Sequence, residues 1–192
     1  MLQRALDDQT DPPLRPLPEQ VAELLRALDC APRLGAHLRL VHDVAADLAE
    51  WVEQRHPGLE FDRKAVLFGA ATHDIGKFVH VGELSGPGAS HEEAGRELLL
   101  RHGFDERLAR FAATHASWTE DIPLEDLLVS LADKVWKNKR VPELEDLVVA
   151  RLAEAGGRAR WEEFAALDDF LTRIGDGADE RLAFQNAFPL RA

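Results

Sequence analysis

Thr72-His73-Asp74-Ile75-Gly76-Lys77 closes a run in which Val66, Leu67, Ala70 and Ala71 recur at helical spacing. Steps of three and four residues return to the same helix face. Asp74, four beyond Ala70 and three beyond Ala71, therefore stays on the apolar side, and His73 lies three beyond Ala70. Ile75-Gly76-Lys77 reads as a tight turn that brings an ammonium back over the same spot. Gly76 suits the left-handed position that often ends a helix. A second His-Asp pair, His42-Asp43, sits in a different context. On the helix expected over 33–55, Leu34, Leu38, Val41, Ala45, Leu48 and Val52 make one apolar stripe that includes His37. The opposite side carries Arg39, Asp43, Asp47 and Glu50, so His42 falls at the flank and Asp43 faces water. Only the pair at 73–74 qualifies as a buried pair.

Outward from this segment the same periodicity persists. It predicts helices near 18–29, 33–55, 62–74, 91–102, 105–116, 123–139, 142–155 and 160–174, with a short one near 179–187. No alternating strand pattern, internal repeat or low-complexity tract interrupts them. The expectation is one all-α domain over 19–192, preceded by a loose arm at 1–18 that holds Pro12, Pro13, Pro16 and Pro18. The stretch 75–90, rich in glycine, is the longest break within the body. Ser90 followed by Glu93 has the form of a capping box that would open a helix at His91. Pro142 suits a first helical turn, where its missing N–H costs nothing.

Three further residues fall inside by this pattern. His91 aligns with Ala94 and Leu98, and His115 with Leu108, Phe111 and Ala112. Each histidine taken alone has a structural explanation, as a core imidazole bonded to backbone or a half-exposed residue at a helix end. Asp133 is harder to explain away, because Leu127–Trp136 is apolar around most of its circumference. A carboxylate there loses hydration worth several kcal/mol unless a cation or donors replace it. Lys134 is a poor partner by direction, since adjacent helical residues diverge by about 100°. A metal ion or an arginine from another helix would meet the need.

The order His37 … His73-Asp74 … Asp133 resembles the H…HD…D signature of the HD superfamily of metal-dependent phosphohydrolases. Thr72–Lys77 is similar to the HDxGK variant of its central motif, and Ser130-Leu-Ala-Asp133-Lys134 to its closing aspartate helix. His91 with Gly95, and Thr114-His115, resemble the extra histidines of members that hold a second metal. The resemblance covers about residues 33–137. It implies a helical bundle of the HD type in which His37, His73, Asp74 and Asp133 ligate one metal. His91 and His115 would then take a second, with Asp74 bridging and central to catalysis. Imidazole with carboxylate suits iron, manganese, zinc, cobalt or nickel, one ion or two.

By the same resemblance the substrate is a small phosphorylated molecule of the nucleotide class, with Lys77 as the phosphate contact nearest the metal. Lys77 also reads simply as a surface lysine after a helix end. Lys134, Lys137, Lys139 and Arg140 form a positive patch that either attracts phosphate or complements a helix C-terminus. Trp118 and Trp136 either line a nucleobase pocket or belong to the core, and the core reading leads. The chain has no tyrosine and so lacks the Gly-Tyr-Pro motif of cyclic dinucleotide phosphodiesterases of this superfamily. Alarmone hydrolases follow HD with an acidic pair, whereas Ile75-Gly76-Lys77 stands here. Members that cleave dinucleoside polyphosphates resemble it more closely, with nucleoside monophosphate phosphatases as rivals. A non-catalytic HD module that binds metal or nucleotide, and a plain helical interaction protein, are the competing functional classes.

The net charge of −12 in 192 residues argues against a nucleic-acid polymer as partner, since backbone binding draws on clustered Lys and Arg. No apolar run approaches the ~20 residues that span a bilayer. A single cysteine, Cys30, and an acidic N-terminus fit the reducing cytoplasm. Monomer and homodimer are both compatible with this composition.

Overall fold

A computed structural model describes residues 1–8 and 12–190. Among these the chain forms only helices: α1 (Leu2–Asp7), α2 (Glu19–Ala27), α3 (Pro32–Arg55), α4 (Arg63–Thr72), α5 (Ser90–Arg101), α6 (Glu106–Thr114), α7 (Leu124–Val135), α8 (Pro142–Gly156), α9 (Arg160–Asp176) and α10 (Ala178–Asn186). Two 3-10 turns, Ile75–Phe78 and Val81–Leu84, fill the glycine-rich break. Helix starts follow local chemistry. Asp62 accepts from the Ala65 N–H at 2.9 Å and Asp105 from the Leu108 N–H at 3.0 Å, each satisfying a donor that a first turn leaves unpaired. Pro142 occupies the first turn of α8. α7 is central as its composition implies, with its side chains from Leu127 to Asp133 all buried. It ends at Val135, earlier than expected, and Asn138 takes a left-handed φ of 57° in the turn that follows.

α3 packs against α1, α4, α7 and α10 and forms the spine of the bundle. Its expected apolar stripe is buried, with His37 half-buried on it, yet so are Leu40, Val44 and Ala49, and the sequence placed Arg39 on the wet side wrongly. Arg39 is fully buried and donates to the carbonyls of Ala5, Leu14 and Arg15 at 3.4, 2.8 and 3.1 Å. The cause is the N-terminal segment, which lies over this side of α3. Where proline content pointed to a loose arm at 1–18, α1 buries Ala5 and Leu6, and Leu14 and Leu17 are buried as well; residues 9–11 of that arm lie outside the described residues. Arg15 reaches Asp43 and Asp47 at 2.9 and 2.6 Å, so Asp43 sits at the margin of this contact in an ion pair.

His42, of the pair set aside, is buried as well, and its Nδ1 has no hydrogen-bond partner among the described residues. Burial lowers its pKa to about 4, Asp43 opposing and Arg15 and Arg39 adding to the shift. The unfolded chain takes up a proton near pH 6.5 while the folded chain waits until about 4. Stability from this group is therefore complete above pH 6.5 and lost as pH falls through that interval, by about 3 kcal/mol at its lower end. Urea unfolding at a series of pH values should show His42→Leu losing about 3 kcal/mol less than the wild type between pH 7 and 4. Parallel pH profiles for the two proteins would contradict the assignment.

Candidate metal centre

The four inward histidines come from four helices. His37 lies in the second turn of α3, His91 in the first turn of α5, and His73 and His115 are the residues that cap the C-terminal ends of α4 and α6. The two capping imidazoles are held by the same local device. Each Nδ1 donates to the carbonyl three residues back, His73 to Ala70 and His115 to Ala112, both at 2.9 Å. These carbonyls belong to last turns, where backbone acceptors lack helical donors. His37 Nδ1 faces the Gln185 amide oxygen at 3.0 Å, and His91 Nδ1 faces a Glu83 carboxylate oxygen at 2.5 Å. Every Nδ1 of the four has an oxygen to hold its hydrogen, so each Nε2 is turned inward and free to offer its lone pair to a metal, the arrangement an Nε2 ligand requires.

The Nε2 atoms meet around Asp74. Its Oδ2 lies 3.0 Å from His37 Nε2 and 3.6 Å from His73 Nε2, and its Oδ1 lies 3.0 Å from His91 Nε2 and 3.5 Å from His115 Nε2. Asp133, from the last turn of α7, completes the first group, its Oδ1 3.3 Å from His73 Nε2. His37, His73, Asp74 and Asp133 thus offer one atom each within 4.8 Å of one another, and so do Asp74, His91 and His115. Both groups could hold a divalent metal. The donor set fits: inward-facing nitrogens 3.3 and 3.5 Å apart repel one another unless a proton or metal cation lies between them. Burial pushes both carboxyls towards the neutral form, but the four imidazoles around Asp74, and His73 with Lys134 beside Asp133, outweigh it and hold both well below the carboxylate range. Burial likewise opposes a charge on His91, and contacts to Asp74 and Glu83 overcome it and raise its pKa.

Every candidate ligand read from the sequence is therefore brought together, and Asp133 is paired with His73 rather than with an arginine. The neighbouring cations differ more from expectation. Lys77 Nζ lies 2.5 Å from Asp74 Oδ2, over the site as the turn implied. Lys134 also reaches its neighbour, Nζ to Asp133 Oδ2 at 2.6 Å, because four flexible methylenes curl back across the 100° separating adjacent Cβ directions. Its Nζ also stands 5.7 Å over the Trp118 ring, which is half-buried against the core. Arg140 is turned away: Glu145 and Asp168 take its guanidinium at 2.7 Å each. Lys139 is exposed. Trp136 is buried with its ring edge-on to His37, 5.1 Å between centroids.

A cleft of about 140 Å³ opens beside His37 and Asp74, with Arg33, Lys77 and Lys137 as its cations and Leu84 and Trp136 as apolar walls. A wider hollow of about 740 Å³ is lined by Glu120, Asp121, Asp146 and Glu154 together with Arg151 and Arg160, and contains no candidate ligand.

Two residues of the site, Glu83 and Gln185, escaped the sequence, and Gly76 has a different role from the one its position suggested. Glu83 replaces the expected capping box: its carboxylate accepts from the N–H groups of Ser90 and His91, both at 3.2 Å, while Glu93 pairs with Arg96. Gly76 is not left-handed. A Cβ there would stand 1.9 Å from the His91 carbonyl oxygen, so glycine lets the turn press directly on α5. Gln185 comes from a region without recognised signal. A carboxylate eight residues before a histidine, or an amide 148 residues after one, follows no helical period, so no local signal marks either.

Comparison with known proteins agrees with this geometry. A family model described as HD domain matches residues 34–136. An uncharacterized protein of Methanocaldococcus jannaschii is 30% identical over 148 residues, which cover 68% of this chain and 81% of that protein. No solved structure matches. Among the described residues no helix is long and apolar enough to cross a membrane.

Proposed function

Since the chain belongs to the HD domain family, whose members are generally metal-dependent phosphohydrolases, we propose that it hydrolyses a phosphate ester or anhydride of a small substrate of the nucleotide class. One observation carries the reading: the two oxygens of Asp74 face two different pairs of imidazole Nε2 atoms. His37, His73, Asp74 and Asp133 would hold one divalent transition metal, and His91 and His115 a second that shares Asp74. Bound there, iron, manganese, zinc, cobalt or nickel would supply activated water and take charge from the phosphate oxygens.

The side chains of this protein do the rest. Lys77 presents its ammonium at the mouth of the ligand cluster, where it can contact a phosphoryl oxygen, and Arg33 and Lys137 add positive charge along the same cleft. A space of about 140 Å³ suits the phosphoryl end of a substrate, so the remainder extends outward. Asp74 and Asp133, held ionised, keep the site ready for cations at neutral pH. The net charge of −12 favours a small substrate over a nucleic-acid polymer. Lys134 and Trp118 stand beside this machinery, Lys134 on Asp133, and Arg140 contributes to stability rather than binding.

Protein purified without chelator should contain transition metal and hydrolyse an aryl phosphate or a member of a panel of nucleoside phosphates and dinucleoside polyphosphates. Chelation should remove the activity and added metal restore it. Metal-loaded protein that binds nucleotides tightly but turns none over would be a regulatory module instead. Protein that takes up no transition metal would defeat both readings.

A further inference from the structure

α10 lies outside the matched segment, yet it supplies the contact that orients His37. The four inward imidazoles are not equally secured. His73 and His115 are tied to carbonyls of their own helices, and His91 to Glu83 in the turn that precedes its helix. His37, the most exposed of them, relies for its Nδ1 on Gln185 alone among the contacts described, at 3.0 Å across 148 residues. The end of α10 is pinned at the same place. Arg33, one turn before His37, donates from its side chain to the carbonyls of Phe188 and Asn186 at 2.9 and 3.3 Å, and its N–H donates to the Pro189 carbonyl at 3.1 Å. Phe184 and Phe188, both buried and edge-on at 5.1 Å, anchor the helix from its inner side.

We infer that Gln185 is a positioning residue of the metal centre: its side-chain oxygen fixes the tautomer and direction of the His37 imidazole, and the C-terminal helix is docked by Arg33 to bring it there. The inference rests on the reading of the cluster as a metal site. An acceptor on the outer nitrogen of a ligating imidazole holds the proton off the inner one and raises its basicity, and loss of such a partner typically weakens metal binding by about 10- to 100-fold. Gln185 is half-buried, so its replacement does not open the core.

The test is titration of the wild type, Gln185→Leu and Gln185→Glu with cobalt(II) alone, followed by the visible absorption of the ion, with metal-free melting curves as a control. Gln185→Leu should bind cobalt at least about tenfold more weakly, with altered absorption bands and unchanged melting. Gln185→Glu, which still accepts from Nδ1, should bind as tightly as the wild type or more so. Equal affinity in the wild type and Gln185→Leu overturns the inference, as does an equal loss in both variants, which would mark a packing role. A wild type that binds no cobalt at the cluster would instead fail the metal-centre reading itself.

Discussion

Asp74→Asn is expected to strip the protein of metal and to lower hydrolysis at least ~10³-fold, since the activated water depends on the bound ion. No other side chain stands in both ligand groups. An asparagine keeps the shape and one oxygen but removes the charge that both sets of imidazoles face, and its NH2 would point a donor at nitrogens that must give their lone pairs to a cation. Metal content per chain by elemental analysis, together with turnover of an aryl phosphate, measures both effects. Asp43→Asn provides the contrast, because that carboxylate serves the Arg15 contact on the outer side of α3 and should leave metal content unchanged. Retention of metal and activity by Asp74→Asn would mean that the cluster is not the working centre.

The second large effect is expected from Gly76→Ala. The added methyl carbon would sit 1.9 Å from the His91 carbonyl oxygen and 2.6 Å from the Gly95 nitrogen. Both are backbone atoms, so no rotamer change relieves the clash. The turn and α5 must part, which costs about 3 kcal/mol, at the upper end for overpacked interiors. For a chain of this size the melting temperature should fall by about 6–12 °C. His91 moves with α5, so metal bound by Asp74, His91 and His115 should weaken more than metal bound by His37, His73, Asp74 and Asp133. Differential scanning calorimetry of Gly76→Ala beside Gly82→Ala, where nothing lies within 4 Å of the added carbon, separates contact from composition. A Gly76→Ala melting curve matching the wild type would show that the contact is looser than described.

The order of helices and the inward placing of the six His and Asp side chains were legible because both rest on short-range regularities, while their grouping as candidate ligands came from resemblance to the HD superfamily. A period near 3.6 residues places His73 and Asp74 beside Ala70 and Ala71, and places Asp133 in a helix with almost no polar face. Histidine and aspartate then carry their chemistry with them, whatever the fold. The same reasoning set His42-Asp43 aside, and that pair stands in neither cluster, yet it misjudged the burial of its surroundings. Arg39 has the side chain of a surface residue, and only the segment laid over it by Leu14 and Arg15 makes it a buried donor.

By itself, then, the sequence determined an all-helical chain and the inward faces that carry His37, His73, Asp74, His91, His115 and Asp133, since each is encoded within a few residues. Resemblance to the HD superfamily grouped those six as candidate ligands, and the turn at 75–77 allowed Lys77 a place over Asp74 without deciding it. Tertiary structure alone decided that Arg39 is buried, that Glu83 rather than Glu93 caps α5, that Lys134 turns to Asp133 while Arg140 turns away, and that Gln185 backs His37. Most of these contacts join atoms brought near by packing rather than by helical period, and the others depend on where a long cationic side chain finds its nearest carboxylate. The energy that selects among such partners exists only once the helices have docked and excluded water between them.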